Sequence, residues 1–211
     1  IICNRFFSML NKYRLATLYL TACYIIGCTS YSNTLNSELI TQKFGTYGIE
    51  IIENKNNIRI SNLYSYEENE RISRTFAITT LTEQIETIFS VEHDLITKGG
   101  SIGAVFKDHG WSITKQHKFI GNVTIDNQSK RISRLMRIEP PLSLAVHIYV
   151  FVISKNKKSF NYAIIAEIHH PAYLTSTMLK SIYGSKYSGA NNMVEVKKIL
   201  TLVNSKLHNT K

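Results

Sequence analysis

An α+β fold, a single domain with a mixed or antiparallel sheet and amphipathic helices packed on it, is predicted by three features of the chain. Residues 144–153, LAVHIYVFVI, are apolar at nearly every position, the composition of a strand covered on both faces and central in its sheet. Residues 160–169, FNYAIIAEIH, form a second strand-like run after a polar turn at 154–158, so the two are expected to pair as a hairpin. Helical spacings occur in blocks between groups of strands, which is the α+β order. Size agrees: 211 residues less a 27-residue leader leave 184, enough for one core.

The leader sets the address. Within residues 9–28, MLNKYRLATLYLTACYIIGC, Lys12 and Arg14 precede about a dozen mostly apolar residues, the length of a secretory signal core. A membrane-crossing helix needs roughly 20. The segment closes on Ile25-Ile26-Gly27-Cys28. That tetrapeptide resembles the lipobox of bacterial lipoproteins: an aliphatic residue, a tolerant position, a small residue, and a cysteine lipidated on its thiol. The resemblance implies that residues 1–27 are a signal peptide, read best from Met9, and that the mature chain begins at acylated Cys28. It implies a cell-envelope protein held by its lipid. Thr29 in place of Asp after the cysteine implies the outer membrane, facing the periplasm. With Cys3 and Cys23 in the leader and Cys28 carrying lipid, the mature chain has no disulfide to form.

Residues 29–37, TSYSNTLNS, are small and polar, so 28–37 reads as a lipidated cysteine and flexible tether ahead of a domain at 38–208. Ser37 is placed to cap a short helix reaching about Lys43. Residues 44–53 and 58–65 read as strands around the Asn-rich turn 54–57, residues 67–71 as a charged loop, and 75–81 as a third strand. Thr82 stands where an N-cap belongs. Ile85, Ile88, Phe89, Glu92, Leu95 and Ile96 follow at helical spacing, and Gly99-Gly100 ends the helix. Ser101 begins a short helix stopped by Gly110, and residues 111–121 alternate as a strand. After a turn at 126–128, Ile132, Leu135 and Met136 share one helical face, with Lys130, Arg131, Arg134 and Arg137 around the other, until Pro140-Pro141. Two helices, at about 173–183 and 194–207, follow Pro171 and are joined by a loop at 187–192.

The mature chain carries 22 basic against 15 acidic side chains, and part of the excess is local. Between residues 107 and 137 seven cations face two acids. In an envelope protein such a patch suits anionic lipid, a cell-wall polymer or an acidic protein, and no nucleic acid is expected. Lys130, Arg131, Arg134 and Arg137 are the candidate anion-binding residues.

Candidate chemistry is sparse. Gly99-Gly100-Ser101-Ile102-Gly103 follows a helix, not a strand, and lacks the dinucleotide and P-loop patterns, so helix capping accounts for it. His147, Glu167, His169 and His170 lie in or beside the 144–153 and 160–169 pair. If Ser154 faces Ser159 and pairing runs on unbroken, His147 faces Ala166 and Glu167 faces Val146, so the two point to opposite faces. Glu167 and His169 share a face but need a third ligand, such as His109 or His117. No metal site and no cofactor are therefore expected. No nucleophile elbow, HExxH or CxxC is present.

The phrases Lys43-Phe44-Gly45 with Tyr47-Gly48, Ser61-Asn62-Leu63-Tyr64-Ser65, Arg74-Thr75-Phe76-Ala77, the Gly-Gly-Ser-Ile-Gly turn, Gly110-Trp111 and His169-His170-Pro171 resemble a group of uncharacterised proteobacterial lipoproteins. That resemblance implies no activity. The expected function is binding or scaffolding at the envelope without catalysis. The alternative is an envelope hydrolase with its site near His169, Glu167 and the Gly99-Gly100-Ser101 turn.

Overall fold

The computed structural model describes residues 34–184 and 193–208. The segment expected to be a signal peptide, Cys28, most of the expected tether and the loop expected at 187–192 lie outside the described residues. The compact unit begins at Leu35. Leu35 and Asn36 are buried, and α1 (Asn36–Phe44) starts there, so the last residues assigned to the tether belong to the domain. Composition hid this because Asn36 is buried through hydrogen bonds rather than through apolar surface.

Six strands form one antiparallel sheet: β1 (Gly48–Lys55), β2 (Ile58–Glu67), β3 (Glu70–Leu81), β4 (Ser112–Ile125), β5 (Leu142–Lys155) and β6 (Lys158–His169). Their order is β1-β2-β3-β6-β5-β4. Three connections are two-residue turns with both φ positive: Asn56-Asn57 (52° and 59°), Glu68-Asn69 (50° and 68°) and Asn156-Lys157 (53° and 65°). This is the primed geometry whose twist matches paired strands, and an asparagine in each turn tolerates the left-handed backbone. The charged stretch 67–71 is therefore a tight hairpin, not a loop. The run 144–153 lies in β5, an interior strand beside β6, while the central pair is β3 and β6.

Helices cover both faces. On the first, α4 (Lys130–Met136) and α6 (Met193–His208) pack over Ile60, Phe76, Val146, Ile148, Ala166 and Ile168. Val196, Ile199, Val203 and Leu207 form the buried stripe of α6. On the second face lie two separate apolar clusters. One sits under α2 (Ser90–Thr97) and α3 (Ile102–Asp108), the other under α1 and α5 (Ser176–Tyr183). Among the described residues no helix is long and apolar enough to cross a membrane.

The helix expected from Thr82 starts later and buries only part of the expected stripe. Thr82 N donates to Tyr162 O (2.8 Å), which holds the chain against β6, and helical structure begins with the 3₁₀ turn Thr87–Phe89. Ile85, Ile88 and Leu95, expected in the core, are exposed, whereas Phe89, Glu92 and Ile96 are buried. Polar partners decide the rotation. Glu92 Oε1 accepts from Trp111 Nε1 (2.9 Å) and lies 3.0 Å from His109 Nδ1. Arg59 donates to Ile96 O (2.9 Å) and Gly100 O (2.8 Å), placing a buried cation at the C-terminal end of α2.

Burial opposes ionisation of Glu92, but the hydrogen bonds from Trp111, the backbone and His109 outweigh it and lower its pKa. Its contribution to stability is present above the ordinary carboxylate range and disappears as pH falls through the lowered value. Glu92→Ala leaves the indole N–H without an acceptor. It is expected to cost about 1–3 kcal/mol in urea unfolding, read by fluorescence of Trp111, the single tryptophan. A cost near zero would show that the bond does not hold the helix.

Candidate functional site

A polar band crosses the second face between its two apolar clusters, and a single inserted residue puts it there. Pairing of β5 with β6 holds from Ser154↔Ser159 to Val152↔Asn161, then jumps to Phe151↔Ala163. Tyr162 is the extra residue of a β-bulge. Beyond it His147 faces Glu167 and Ala145 faces His169, so His147, Glu167 and His169 point the same way. The expected opposition of His147 and Glu167 is overturned. The reason lies outside the hairpin: the Tyr162 ring packs 4.7 Å from Phe106 and 5.8 Å from Phe89, centroid to centroid, while its carbonyl takes the bond from Thr82. On β4, Lys115 pairs with Phe151 and His117 with Tyr149, so both join the same face.

Hydrogen bonds tie the band together. Glu167 Oε1 accepts from Asn36 Nδ2 (3.1 Å) and Tyr149 OH (3.1 Å). Asn36 also donates to Thr75 Oγ1 (3.1 Å) and accepts from Tyr173 OH (2.5 Å). Thr75 Oγ1 stands 3.0 Å from His169 Nδ1. His117 Nδ1 lies 2.8 Å from His147 Nε2 with the rings nearly coplanar, and the Tyr183 ring lies over both, at 4.6 Å and 4.9 Å. Lys115 Nζ sits 5.1 Å from the centre of the Tyr149 ring.

Burial sets the protonation states. It pushes His147 well below its usual value, with Lys115 and the neighbouring histidines acting in the same direction. It pushes His169 down to about 4, against the pull of Glu167 and with the help of Lys115. Both rings are neutral at neutral pH. The 3.9 Å approach of His169 Nε2 to Glu167 Oε2 is thus no ion pair, and it is too long for a hydrogen bond. His169 Nε2 is a buried atom without a hydrogen-bond partner. Burial also lowers Lys115, countered by Glu167 and Glu38. Tyr149 is driven well above its usual range by burial and by Glu167.

Beside the band lies a cavity of about 70 Å³, room for a few waters at roughly 10–15 Å³ each. Asn36, Tyr47, Arg59, Ser101, Lys115 and Glu167 supply its polar wall, and Leu35, Leu63 and Ile165 part of its apolar wall. Glu167 and Ser101 thus share one space. His169 lies apart from that cavity, in a smaller pocket with His147 and Tyr183 that Asn36, Lys115 and Glu167 also line. Gly99 ends α2 with a left-handed φ of 111°, and a Cβ on Gly100 would come 2.9 Å from Leu95 O. His170 Nδ1 accepts from Ala172 N (3.0 Å), a local turn bond. On α4, Lys130 and Arg134 are exposed and Arg131 is half-buried, while Arg137 pairs with Glu70.

Sequence reasoning missed Asn36, Arg59, Thr75, Lys115 and Tyr149 as members of the band. The one signal was Lys115-Gln116-His117, which sets two titratable groups on one face of a strand. The sequence matches no protein-family model and no curated protein.

Glu167→Gln keeps the side chain's shape but removes the charge that compensates buried Lys115, and it is expected to cost about 3–5 kcal/mol. Adding Lys115→Met should recover part of that loss, giving a coupling of roughly 0.5–3 kcal/mol in a double-mutant cycle by urea denaturation. Strictly additive effects would show that the two charges do not sense each other.

Proposed function

We propose that this chain is a lipid-anchored cell-envelope protein of the binding type, whose folded unit takes a small anionic molecule into the cavity beside Lys115. The cavity is the observation that carries the reading. Two buried cations, Arg59 and Lys115, and one carboxylate, Glu167, line about 70 Å³. Buried charges are costly, and a core that served folding alone would be more stable with apolar residues in their places. The size suits a small carboxylic acid or amino acid. The anchor rests on the lipobox resemblance at Cys28. The exposed side of α4, with Lys130, Arg131 and Arg134, is the surface offered to anionic lipid, cell-wall polymer or an acidic protein; Arg137 is already paired with Glu70.

Binding is favoured over hydrolysis by the surroundings of Ser101. Among the described residues no histidine or carboxylate is hydrogen-bonded to its hydroxyl, so it has no base to activate it. Glu167 Oε1 is committed to Asn36 and Tyr149.

Thermal unfolding of the purified full chain against a panel of small carboxylic acids and amino acids tests the cavity. A ligand at a hundred times its Kd should add about 2.7 kcal/mol of stability. Ala77→Leu, which fills the cavity from β3, should abolish the effect; a panel without any stabilising compound would remove the reading. Cys28→Ser should release the protein from the membrane fraction, since the several acyl chains of a processed lipoprotein hold where one does not. Retention of that variant in the membrane fraction would mean that the lipid is not the anchor.

A further inference from the structure

We propose that His147, Glu167 and His169 form a binding site for a divalent transition-metal ion of the zinc class. The proposal goes beyond the cavity reading and does not depend on it. One ligand atom from each of the three lies within 4.8 Å of the others, and all three residues are at least nine-tenths buried. His169 Nε2 and Glu167 Oε2 are 3.9 Å apart.

The second atom of each group is already held. His169 Nδ1 meets the Thr75 hydroxyl at 3.0 Å, Glu167 Oε1 accepts from Asn36 and Tyr149, and His147 Nε2 meets His117 at 2.8 Å. With Nδ1–H donated to Thr75, Nε2 of His169 carries a free lone pair, and it is the ring atom left without a partner. Glu167 has Oε2 left, and His147 would ligate through its remaining ring nitrogen, Nδ1. An outer hydrogen bond on every ligand, fixing tautomer and orientation, is the arrangement that metal sites use. Neither a packed core nor a charge pair for Lys115 requires an imidazole nitrogen left bare beside a carboxylate oxygen.

Two imidazoles and one carboxylate suit Zn²⁺, whereas Mg²⁺ and Ca²⁺ take oxygen ligands. Zinc bonds of 2.0–2.2 Å put tetrahedral ligands about 3.4 Å apart, so from 4.8 Å the cluster closes by up to about 1.4 Å when the ion enters. Three protein ligands leave one position for water. Lys115 lines the same small space and acts electrostatically on all three residues, so its charge opposes the ion.

The test is titration of the chelator-stripped full chain with Co²⁺, read by visible absorption, and then displacement by Zn²⁺. One equivalent per chain is expected. His169→Ala should weaken Co²⁺ binding at least 10-fold, and Thr75→Val, which touches no ligand atom, by about 10- to 100-fold, with Trp111 fluorescence checking the fold of each. Lys115→Met should bind several-fold more tightly, a change that damage to the fold cannot produce. Absence of Co²⁺ uptake, His169→Ala binding like the parent, or no gain in Lys115→Met would each overturn the site.

Discussion

Tyr162 is one residue more than the β5–β6 ladder can pair, and the second face of the sheet depends on it. Side chains alternate along a strand, so one unpaired residue exchanges the faces of everything beyond it. Glu167 and His169 would otherwise point into the apolar layer under α4 and α6, where no partner could satisfy them. With the bulge they meet Asn36, Thr75, Tyr149 and His147. The bulge is held from outside the hairpin, by aromatic packing with Phe89 and Phe106 and by the bond from Thr82. An aromatic cluster near one end of the sheet thus sets the chemistry at its middle.

The rest of the second face is organised around keeping buried charge satisfied. Two apolar clusters carry the packing, and the polar groups are gathered between them instead of being scattered through both. Arg59 joins the carbonyls of Ile96 and Gly100 to β2, so the end of α2 is located by a cation as well as by apolar contact. Glu92 does the same work from within α2 by taking the Trp111 indole. A helix docked by such specific bonds has one rotation about its axis, and it need not be the one that buries the most apolar residues. This is why Leu95 is left facing water, while Ile85 and Ile88 precede the helix in the extended stretch and 3₁₀ turn that follow Thr82.

The first face follows the simpler rule. Ile132 and Met136 of α4 and the Val196, Ile199, Val203 and Leu207 stripe of α6 bury apolar surface against strands that are apolar on that side. Among the described residues Arg137 pairs with Glu70, while Lys130 and Arg134 are exposed and Arg131 is half-buried on the side of α4 away from Ile132 and Met136. Here the pattern of the sequence and the structure agree closely, since no buried charge competes with apolar burial for the orientation of a helix.

What the sequence by itself determined about this protein is whatever depends on neighbours along the chain. The α+β class, the strands around residues 144–153 and 160–169, the Asn-rich turn at 54–57, the short helix from Ser101 and the basic face of α4 all follow from local spacing and backbone preference. The tertiary structure alone decided which side of β6 carries Glu167 and His169, which side of α2 is buried, and that Asn36 is part of the interior. Each of these depends on a contact between residues distant in sequence: Tyr162 with Phe106, Glu92 with Trp111, Asn36 with Glu167. Alternation along a strand is a local rule, but where it is interrupted is settled by packing, and one interruption was enough to turn two opposed side chains into neighbours.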